Sequence, residues 1–196
     1  MESNDFRPLI VGIGGTTRIG STSEKTLDQV GRIVEQLGGR WMKFSGPSLI
    51  LPMYKSDTAE RTGAARQIID AVRACDGLVL ASPGYHGSFS GMVKNVLDYL
   101  EDLADDPRPF LEGRAVGCIA SALGWQAIGT TLVALRSVVH ALRGWPTPLG
   151  VSIHSAGRLF DETGQCTVPE VEQQLRTLAA QVMEFAALKR EARTAA

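Results

Sequence analysis

One apolar run, which breaks into a glycine- and hydroxyl-rich loop and then begins a helix, constrains the fold of this chain most. The run consists of Leu9, Ile10, Val11 and Ile13. Because its residues are uniformly apolar rather than alternating, it predicts a strand covered on both faces, as in a parallel sheet. Helices on both sides must supply that cover, so the segment predicts an α/β fold.

The loop between this strand and the helix has the composition of an anion site. Ser21, followed by Glu24, forms a capping box that begins the helix near residue 22 and turns its free N–H groups toward the loop. Arg18 adds a guanidinium that can bind two phosphate oxygens. Hydroxyl groups are supplied by Thr16, Thr17, Ser21, Thr22 and Ser23. We therefore expect the loop to hold a terminal phosphate.

Single residues exclude two common phosphate loops. Residues 15–22 nearly fit G-x-x-x-x-G-K-[ST], but Ser21 stands where the lysine is needed, which argues against nucleoside triphosphate hydrolysis. A dinucleotide fingerprint opens at Gly12, but Thr17 replaces its third glycine and the second predicted strand, residues 40–45, ends without a ribose-binding acid. An unliganded strand-to-helix turn is the remaining alternative for this segment alone.

Composition excludes several classes of function. The 196 residues are 44% hydrophobic, which suits one domain spanning residues 1–196. A net charge of -1 and the lack of basic runs argue against a nucleic-acid partner. No stretch reaches the roughly 18 apolar residues of a membrane span and no signal peptide is evident, so we expect a cytoplasmic protein. Cys75, Cys118 and Cys166 lie far apart, as expected of reduced thiols.

Apolar runs alternate with helical periodicities along the rest of the chain. Further strands are predicted at residues 40–45, 78–81, 115–120 and 147–154, and helices at 22–37, 58–74, 92–103, 125–143 and about 171–185. Five strands alternating with five helices predict a doubly wound five-stranded parallel sheet in a three-layer αβα sandwich. Ligands of such sheets lie beyond the carboxyl ends of the strands, so one ligand should contact the loops after the first, third and fourth strands.

The loop after the third strand points to a flat cofactor. None of the three loops contains an acid–base pair, a metal cluster or a nucleophile beside its base, so we expect no catalytic side chain and no metal ligand. Tyr85 can stack on a ring, Pro83 and Gly84 fix a turn, and the N–H groups of residues 85–88 can face the polar edge of a heterocycle. A single phosphate site beside an aromatic plate fits flavin mononucleotide (FMN), which would supply the redox chemistry.

Two segments resemble the NADPH-dependent FMN reductase family, whose fold is flavodoxin-like. Residues 15–23, Gly-Thr-Thr-Arg-Ile-Gly-Ser-Thr-Ser, are similar to the family's G-S-x-R-x-x-S loop, with threonine where serine is usual. Residues 82–91 are similar to its P-x-Y-x-x-x-x-P/S-G segment, and residues 94–98, Lys-Asn-Val-Leu-Asp, to the K-N-x-x-D helix that follows. The resemblance covers essentially the whole chain.

This resemblance implies a set of FMN-binding residues. It assigns the phosphate to Thr16, Arg18, Ser21, Thr22 and Ser23, the isoalloxazine ring to Pro83, Tyr85, His86, Gly87 and Ser88, and completion of the site to Ser121 and Gly124. At the third loop, Ala122 and Leu123 replace the glycine pair that is common in the family. His86 is expected to contribute its backbone rather than act as an acid.

The resemblance also implies the reaction. Family members transfer a hydride from NADPH or NADH to flavin N5 without a catalytic acid, and some release reduced FMN to a partner monooxygenase. Others keep FMN bound and reduce quinones, azo dyes or metal oxyanions, so an FMN-bound quinone or azo reductase is the alternative. A flavodoxin-type electron carrier is disfavoured by the near-balanced charge and by Arg18 in the phosphate loop.

Two further expectations concern the surface. In the family the helix predicted at residues 125–143 commonly builds a subunit interface, which implies a homodimer or homotetramer and favours an interface role for Trp125. Three basic residues, Lys55, Arg108 and Arg158, are candidates to approach the phosphates of the pyridine nucleotide, and no spacing selects among them.

Overall fold

The computed structural model describes residues 6–194, which form one sheet with helices on both faces. The strands are β1 (Leu9–Gly14), β2 (Arg40–Ser45), β3 (Gly77–Tyr85), β4 (Ser88–Phe89), β5 (Ala115–Ala122), β6 (Trp145–Pro146) and β7 (Val151–His154). The helices are α1 (Thr22–Gln36), α2 (Gly63–Ala74), α3 (Gly91–Asp98), α4 (Trp125–Ala141) and α5 (Pro169–Thr194). Short 3-10 helices span Gly46–Leu49 and Tyr99–Leu103.

The strand order confirms a doubly wound sheet. The central strands run β2-β1-β3-β5 in parallel, and β6 and β7 both pair with β5 on its outer side. Only β4 is antiparallel, and it pairs with the end of β3. The expected number of five strands is wrong because the sheet has seven. The two additional strands are β4, which pairs with the extended end of β3, and β6, which lies just before the predicted fifth strand.

The predicted fifth strand begins later than expected. β7 begins at Val151, although all of residues 147–154 were expected to be strand. The Thr147 N–H still donates to the Val116 carbonyl of β5 at 3.0 Å, but the Thr147 hydroxyl donates to the Leu149 carbonyl at 2.7 Å and the Arg136 guanidinium donates to the Thr147 carbonyl at 2.6 Å. Pro148 has no N–H group to give to a ladder. The chain therefore leaves the sheet after Thr147 and rejoins it at Val151.

The expected loop after the third strand is largely a hairpin. Residues 82–85 continue β3, and the chain returns through His86 and Gly87 into β4. Both turn residues have positive φ, 52° at His86 and 86° at Gly87, as a two-residue type I′ turn requires. The sequence suggests a loop because proline and glycines interrupt it, whereas pairing with β4 makes it regular.

Two predicted helix boundaries are wrong for local reasons. The second helix was expected to begin at residue 58, but α2 begins at Gly63, because the Thr62 side chain is its N-cap. The Arg61 guanidinium donates to the Thr58 carbonyl at 2.7 Å and so holds the preceding residues outside the helix. The third helix ends at Asp98 and continues as a 3-10 helix rather than as an α-helix.

Both faces of the sheet are buried, as the uniform apolar run predicted. Val11 and Ile13 of β1 pack with α2 and α3, and Ile10 packs with α1 and α5 on the other face. All three side chains are fully buried. Within residues 6–194, no helix combines the length and the apolar character that crossing a membrane requires.

Candidate functional site

A cavity of about 420 Å³ lies at the carboxyl ends of β1, β3 and β5. Its volume falls within the range of roughly 300–1,000 Å³ that is usual for small-molecule sites. The lining residues come from the three predicted loops and from the end of β7, and they are Thr16, Arg18, Ser21, Thr22, Ser23, Pro83, Gly84, Tyr85, Ser121, Ala122, Leu123, Gly124, Ala127 and Ser155. The chain therefore brings the three predicted segments to one site.

Nine of the twelve residues predicted to bind the cofactor line this cavity. The other three are exposed and lie outside the lining: His86 and Gly87 form the turn of the β3–β4 hairpin, and Ser88 directly follows it. Five lining residues were not predicted: Gly84, Ala122, Leu123, Ala127 and Ser155. Ser155 directly follows β7, whose end at His154 is the predicted end of the fifth strand, so the rule that ligands lie beyond the carboxyl ends of the strands could have included it.

The loop after β1 can accept an anion at the first turn of α1. The Ser21 hydroxyl is the N-cap and accepts from the Glu24 N–H at 3.3 Å, which leaves its own proton free to donate. The Thr16 hydroxyl accepts from the Arg18 N–H at 3.0 Å and shapes the loop. Within residues 6–194, no carboxylate pairs with the Arg18 guanidinium. A cation without a carboxylate partner beside a helix N-terminus favours the binding of an anion.

Glu24 is kept from competing with that anion. One carboxylate oxygen accepts from the Gly20 N–H at 2.7 Å, and the other accepts from the Ser45 hydroxyl at 3.0 Å and lies 3.5 Å from Lys43. Burial raises the pKa of Glu24, but these hydrogen bonds and the Lys43 charge outweigh it, so the pKa is lowered from its ordinary value. Its negative charge is thus engaged on the side of β2.

A buried hydroxyl pair joins two walls of the cavity. Ser23, in the first turn of α1, and Ser121, in β5, share a hydrogen bond of 3.1 Å between their Oγ atoms. Both side chains also line the cavity, although the residues are almost fully buried. The pair fixes the start of α1 relative to the end of β5.

The opposite wall is the β3–β4 hairpin. The buried Ser82 hydroxyl accepts from the Ser90 N–H at 2.9 Å and donates to the Pro83 carbonyl at 2.9 Å, which ties the hairpin to the start of α3. Gly84 lies so close to α4 that a Cβ there would be 2.8 Å from Thr131 Oγ1. Beyond these fixed residues the Tyr85 side chain is 52% exposed. The hairpin therefore presents an aromatic ring on a rigid support.

The lining of the cavity is almost uncharged. Arg18 is the one charged side chain among its lining residues. Within residues 6–194, no cluster of three histidine, cysteine or acidic side chains could hold a metal ion. Burial raises the pKa of Cys75 to about 11 and that of Cys118 to about 12, so neither thiol is a nucleophile at neutral pH.

None of the three basic residues considered for the pyridine nucleotide lines the cavity. Arg108 lies at the opposite end of the sheet, where it donates to the carbonyls of Arg73 and Cys75 at the end of α2. Arg158 is 3.4 Å from Glu162 on the surface. Lys55 lines a separate cavity of about 470 Å³ between α2 and the loop that follows β2. The expectation for Arg108 is therefore wrong.

The larger cavity is less suited to a cofactor. Its most buried cation, Arg61, is already held by Asp102 through two hydrogen bonds of 2.7 and 2.8 Å. Tyr54 and Tyr99 lie beside the same guanidinium, at 5.0 and 5.5 Å from their ring centroids. This cluster packs the β2–α2 connection and leaves no unpaired buried cation for a ligand.

Comparison with known proteins relates the chain to flavin-dependent reductases. The family profile for NADPH-dependent FMN reductase matches residues 8–158, which include all three loops. The FMN-dependent NADPH-azoreductase of Staphylococcus aureus is 31% identical over 111 residues, covering 57% of this chain and 55% of the azoreductase. The match thus spans about half the length of that curated relative.

Solved structures confirm the flavodoxin-like fold. FerB, a flavoenzyme NAD(P)H:(acceptor) oxidoreductase from Paracoccus denitrificans, superposes with a TM-score of 0.74 at 18% identity and covers 94% of this chain and 98% of its own. A short-chain flavodoxin superposes with a TM-score of 0.62 at 16% identity, covering 91% of this chain and 99% of its own. Together with the match over residues 8–158, they lead to one conclusion: the chain belongs to the NADPH-dependent FMN reductase family.

Proposed function

We propose that this protein is an NAD(P)H-dependent FMN reductase that binds FMN in the cavity at the ends of β1, β3 and β5. The observation that carries the proposal is the unpaired Arg18 guanidinium beside the first turn of α1, at one end of a cleft whose other wall is the Tyr85 hairpin. A phosphate and a flat ring are the two parts of FMN. The cleft has a matching group for each.

The residues that line the cavity fit FMN. Arg18, the hydroxyls of Ser21 and Thr22 and the free N–H groups at the start of α1 would hold the phosphate. Pro83 and Tyr85 would hold the ring, and the main-chain groups of residues 86–88, which lie outside the lining, would contact its edge. FMN, when bound, supplies the two-electron redox chemistry. The protein binds, orients and partly shields the cofactor, and no side chain of the cavity is required to move a proton.

A second candidate is an FMN-bound azo or quinone reductase. It is favoured by the azoreductase relative, whose name specifies dependence on FMN and NADPH. The two candidates differ in whether FMN leaves the protein. Release to a partner monooxygenase requires weak binding of FMN, whereas an azo or quinone reductase retains it.

The proposal extends to assembly and location. We infer a homodimer or homotetramer, because the outward face of α4 carries the exposed residues Gly129, Thr130 and Val133 and no charge. We also infer a cytoplasmic location, since all three cysteines are free thiols. Light scattering of the purified protein measures the subunit number, and a monomer at micromolar concentration would contradict the first inference.

The deciding experiment titrates FMN into the purified protein and follows oxidation of NADPH and NADH. We expect saturable FMN binding and FMN-dependent oxidation, with riboflavin bound much more weakly because it lacks the phosphate. A colourless preparation that turns over added FMN supports the flavin reductase, and a yellow one with ping-pong quinone kinetics supports the alternative. Tight FMN binding without oxidation of either nucleotide would identify an electron carrier and defeat the proposal.

A further inference from the structure

Trp125 stands where two cavity-lining segments meet. It is the first residue of α4, next to Gly124 and two residues before Ala127, which both line the cavity. Its indole stacks on the imidazole of His154, with ring centroids 4.9 Å apart and ring planes 17° from parallel. His154 ends β7 and precedes Ser155, another lining residue. The stacked pair therefore bridges the two segments at the outer edge of the cavity.

The indole remains 67% exposed although His154 packs against it. Large exposed apolar side chains are also found beside it, at Leu123, which is 72% exposed, and across the cavity at Tyr85. An aromatic ring that already stacks on a second ring has little conformational freedom left to lose. Stacking a further ring on it therefore has a small entropic cost. The arrangement suits a flat partner.

The charge of the cavity mouth restricts that partner. Arg18, the charged residue of the lining, is assigned to the phosphate, and the remainder of the mouth is aromatic, aliphatic or hydroxylic. Apart from Arg18, the lining holds no lysine, arginine, aspartate or glutamate that would pair with a strongly charged acceptor. A flat, uncharged aromatic molecule would bury apolar surface there and gain ring stacking.

We propose that Trp125, held in place by His154, is a stacking surface for a flat aromatic electron acceptor at the mouth of the FMN cavity. This inference rests on the proposed function, because it assumes that FMN occupies the cavity. It assigns to Trp125 a role in acceptor selection and not in FMN binding, since the indole adjoins the cavity without lining it.

Equilibrium binding tests the role without turnover. Menadione, a naphthoquinone, is titrated calorimetrically into the oxidised FMN-loaded protein in the absence of NAD(P)H. We expect W125A to weaken menadione binding about tenfold, W125F by less than about threefold, and H154A by an intermediate factor. The control is W145A, which removes an indole of similar exposure, 56%, that packs on Phe185 at the other end of the sheet. It should bind menadione like the wild type.

Turnover with two acceptors separates stacking from structural damage. In W125A the KM for menadione should rise about tenfold, whereas kcat, the KM for ferricyanide and the affinity for FMN should stay unchanged. An unchanged menadione affinity in W125A would overturn the inference, and so would a loss of dimers in W125A with menadione affinity retained, because that result would make Trp125 an interface residue. Failure of the wild type to bind FMN would instead defeat the proposed function.

Discussion

Ser23 Oγ at the start of α1 and Ser121 Oγ at the end of β5 lie 3.1 Å apart, and both residues are almost fully buried. The two residues are 98 positions apart in the chain. Their hydrogen bond therefore connects the phosphate loop directly to the third loop of the cavity. The bond therefore helps to hold the loop after β1 and the loop after β5 in a fixed position relative to each other.

The first prediction concerns this pair. S23A and S121A should each lower the free energy of unfolding by about 1 kcal/mol, because each removes the hydrogen bond and leaves the remaining buried hydroxyl without its partner. The double variant should lose less than the sum, with a coupling energy of about 0.5–1.5 kcal/mol. Urea denaturation of the four proteins measures this cycle. Strict additivity would show that the hydroxyls do not interact.

The second prediction concerns Arg18. R18A should weaken FMN binding by about tenfold or more while changing riboflavin binding little, because only FMN carries the phosphate that the guanidinium pairs with. R18K should recover part of the loss, since lysine keeps the charge but not the planar fork. The control is R66A, which removes a cation from the separate cavity of 470 Å³. Equal weakening for FMN and riboflavin in R18A would place the phosphate elsewhere.

The third prediction concerns the pH dependence contributed by Glu24. Its pKa is lowered in the folded protein, so its stabilising contribution is complete above the ordinary value of 4.5 and is lost as the pH falls through the folded pKa. E24Q should be less stable than the wild type at pH 7, and the difference should shrink steadily below pH 4.5. Denaturant titrations of both proteins at pH 7 and at several pH values below 4.5 measure this difference.

An exposed acid provides the comparison for that experiment. Glu162 is 91% exposed and pairs with Arg158 at 3.4 Å on the surface. Because such a pair contributes little to stability, E162Q should match the wild type in its free energy of unfolding throughout this pH range. If E24Q behaves in the same way, the contacts of Glu24 with Gly20, Ser45 and Lys43 do not stabilise the phosphate loop.

The fourth prediction concerns the packing of the hairpin on α4. G84A should lower the free energy of unfolding by about 1–3 kcal/mol, because the new methyl group meets Thr131 Oγ1 at 2.8 Å and the Ala127 carbonyl oxygen at 3.1 Å. It should also weaken FMN binding by displacing Tyr85. G63A is the matched control at the first residue of α2, where an added Cβ meets no atom within 4 Å.

The control should move in the opposite direction. G63A replaces glycine by alanine in the first turn of a helix and should raise the free energy of unfolding by up to about 1 kcal/mol. Thermal denaturation of both variants distinguishes crowding from a general effect of alanine. Similar stability changes of one sign would mean that Gly84 is not crowded.

The phosphate loop was predictable from the sequence because its signals are local. The apolar run of β1, Arg18 and the Ser21 cap all lie within residues 9–21. The family resemblance rests on this segment and on residues 82–98, and the family is confirmed. The binding roles of the individual residues remain predictions.

The errors occur where distant contacts override local signals. Residues 82–85 suggest a loop through Pro83 and Gly84, but pairing with β4 extends the strand, and only the fold reveals that Gly84 faces Thr131. The fifth strand begins at Val151 rather than at residue 147, and the Thr147 carbonyl instead accepts from Arg136 of α4. Ser155 enters the site because it follows the carboxyl end of β7, and no motif in the sequence marks it.

The left-handed turn at His86 and Gly87 has an evolutionary consequence. Its two positive φ angles are what keep the hairpin at a two-residue loop. Selection that acts on such a turn preserves chain length and glycine more strictly than the identity of neighbouring exposed side chains. Composition around this turn can thus diverge while its geometry is kept, and a deletion of one residue there would do more harm than most substitutions.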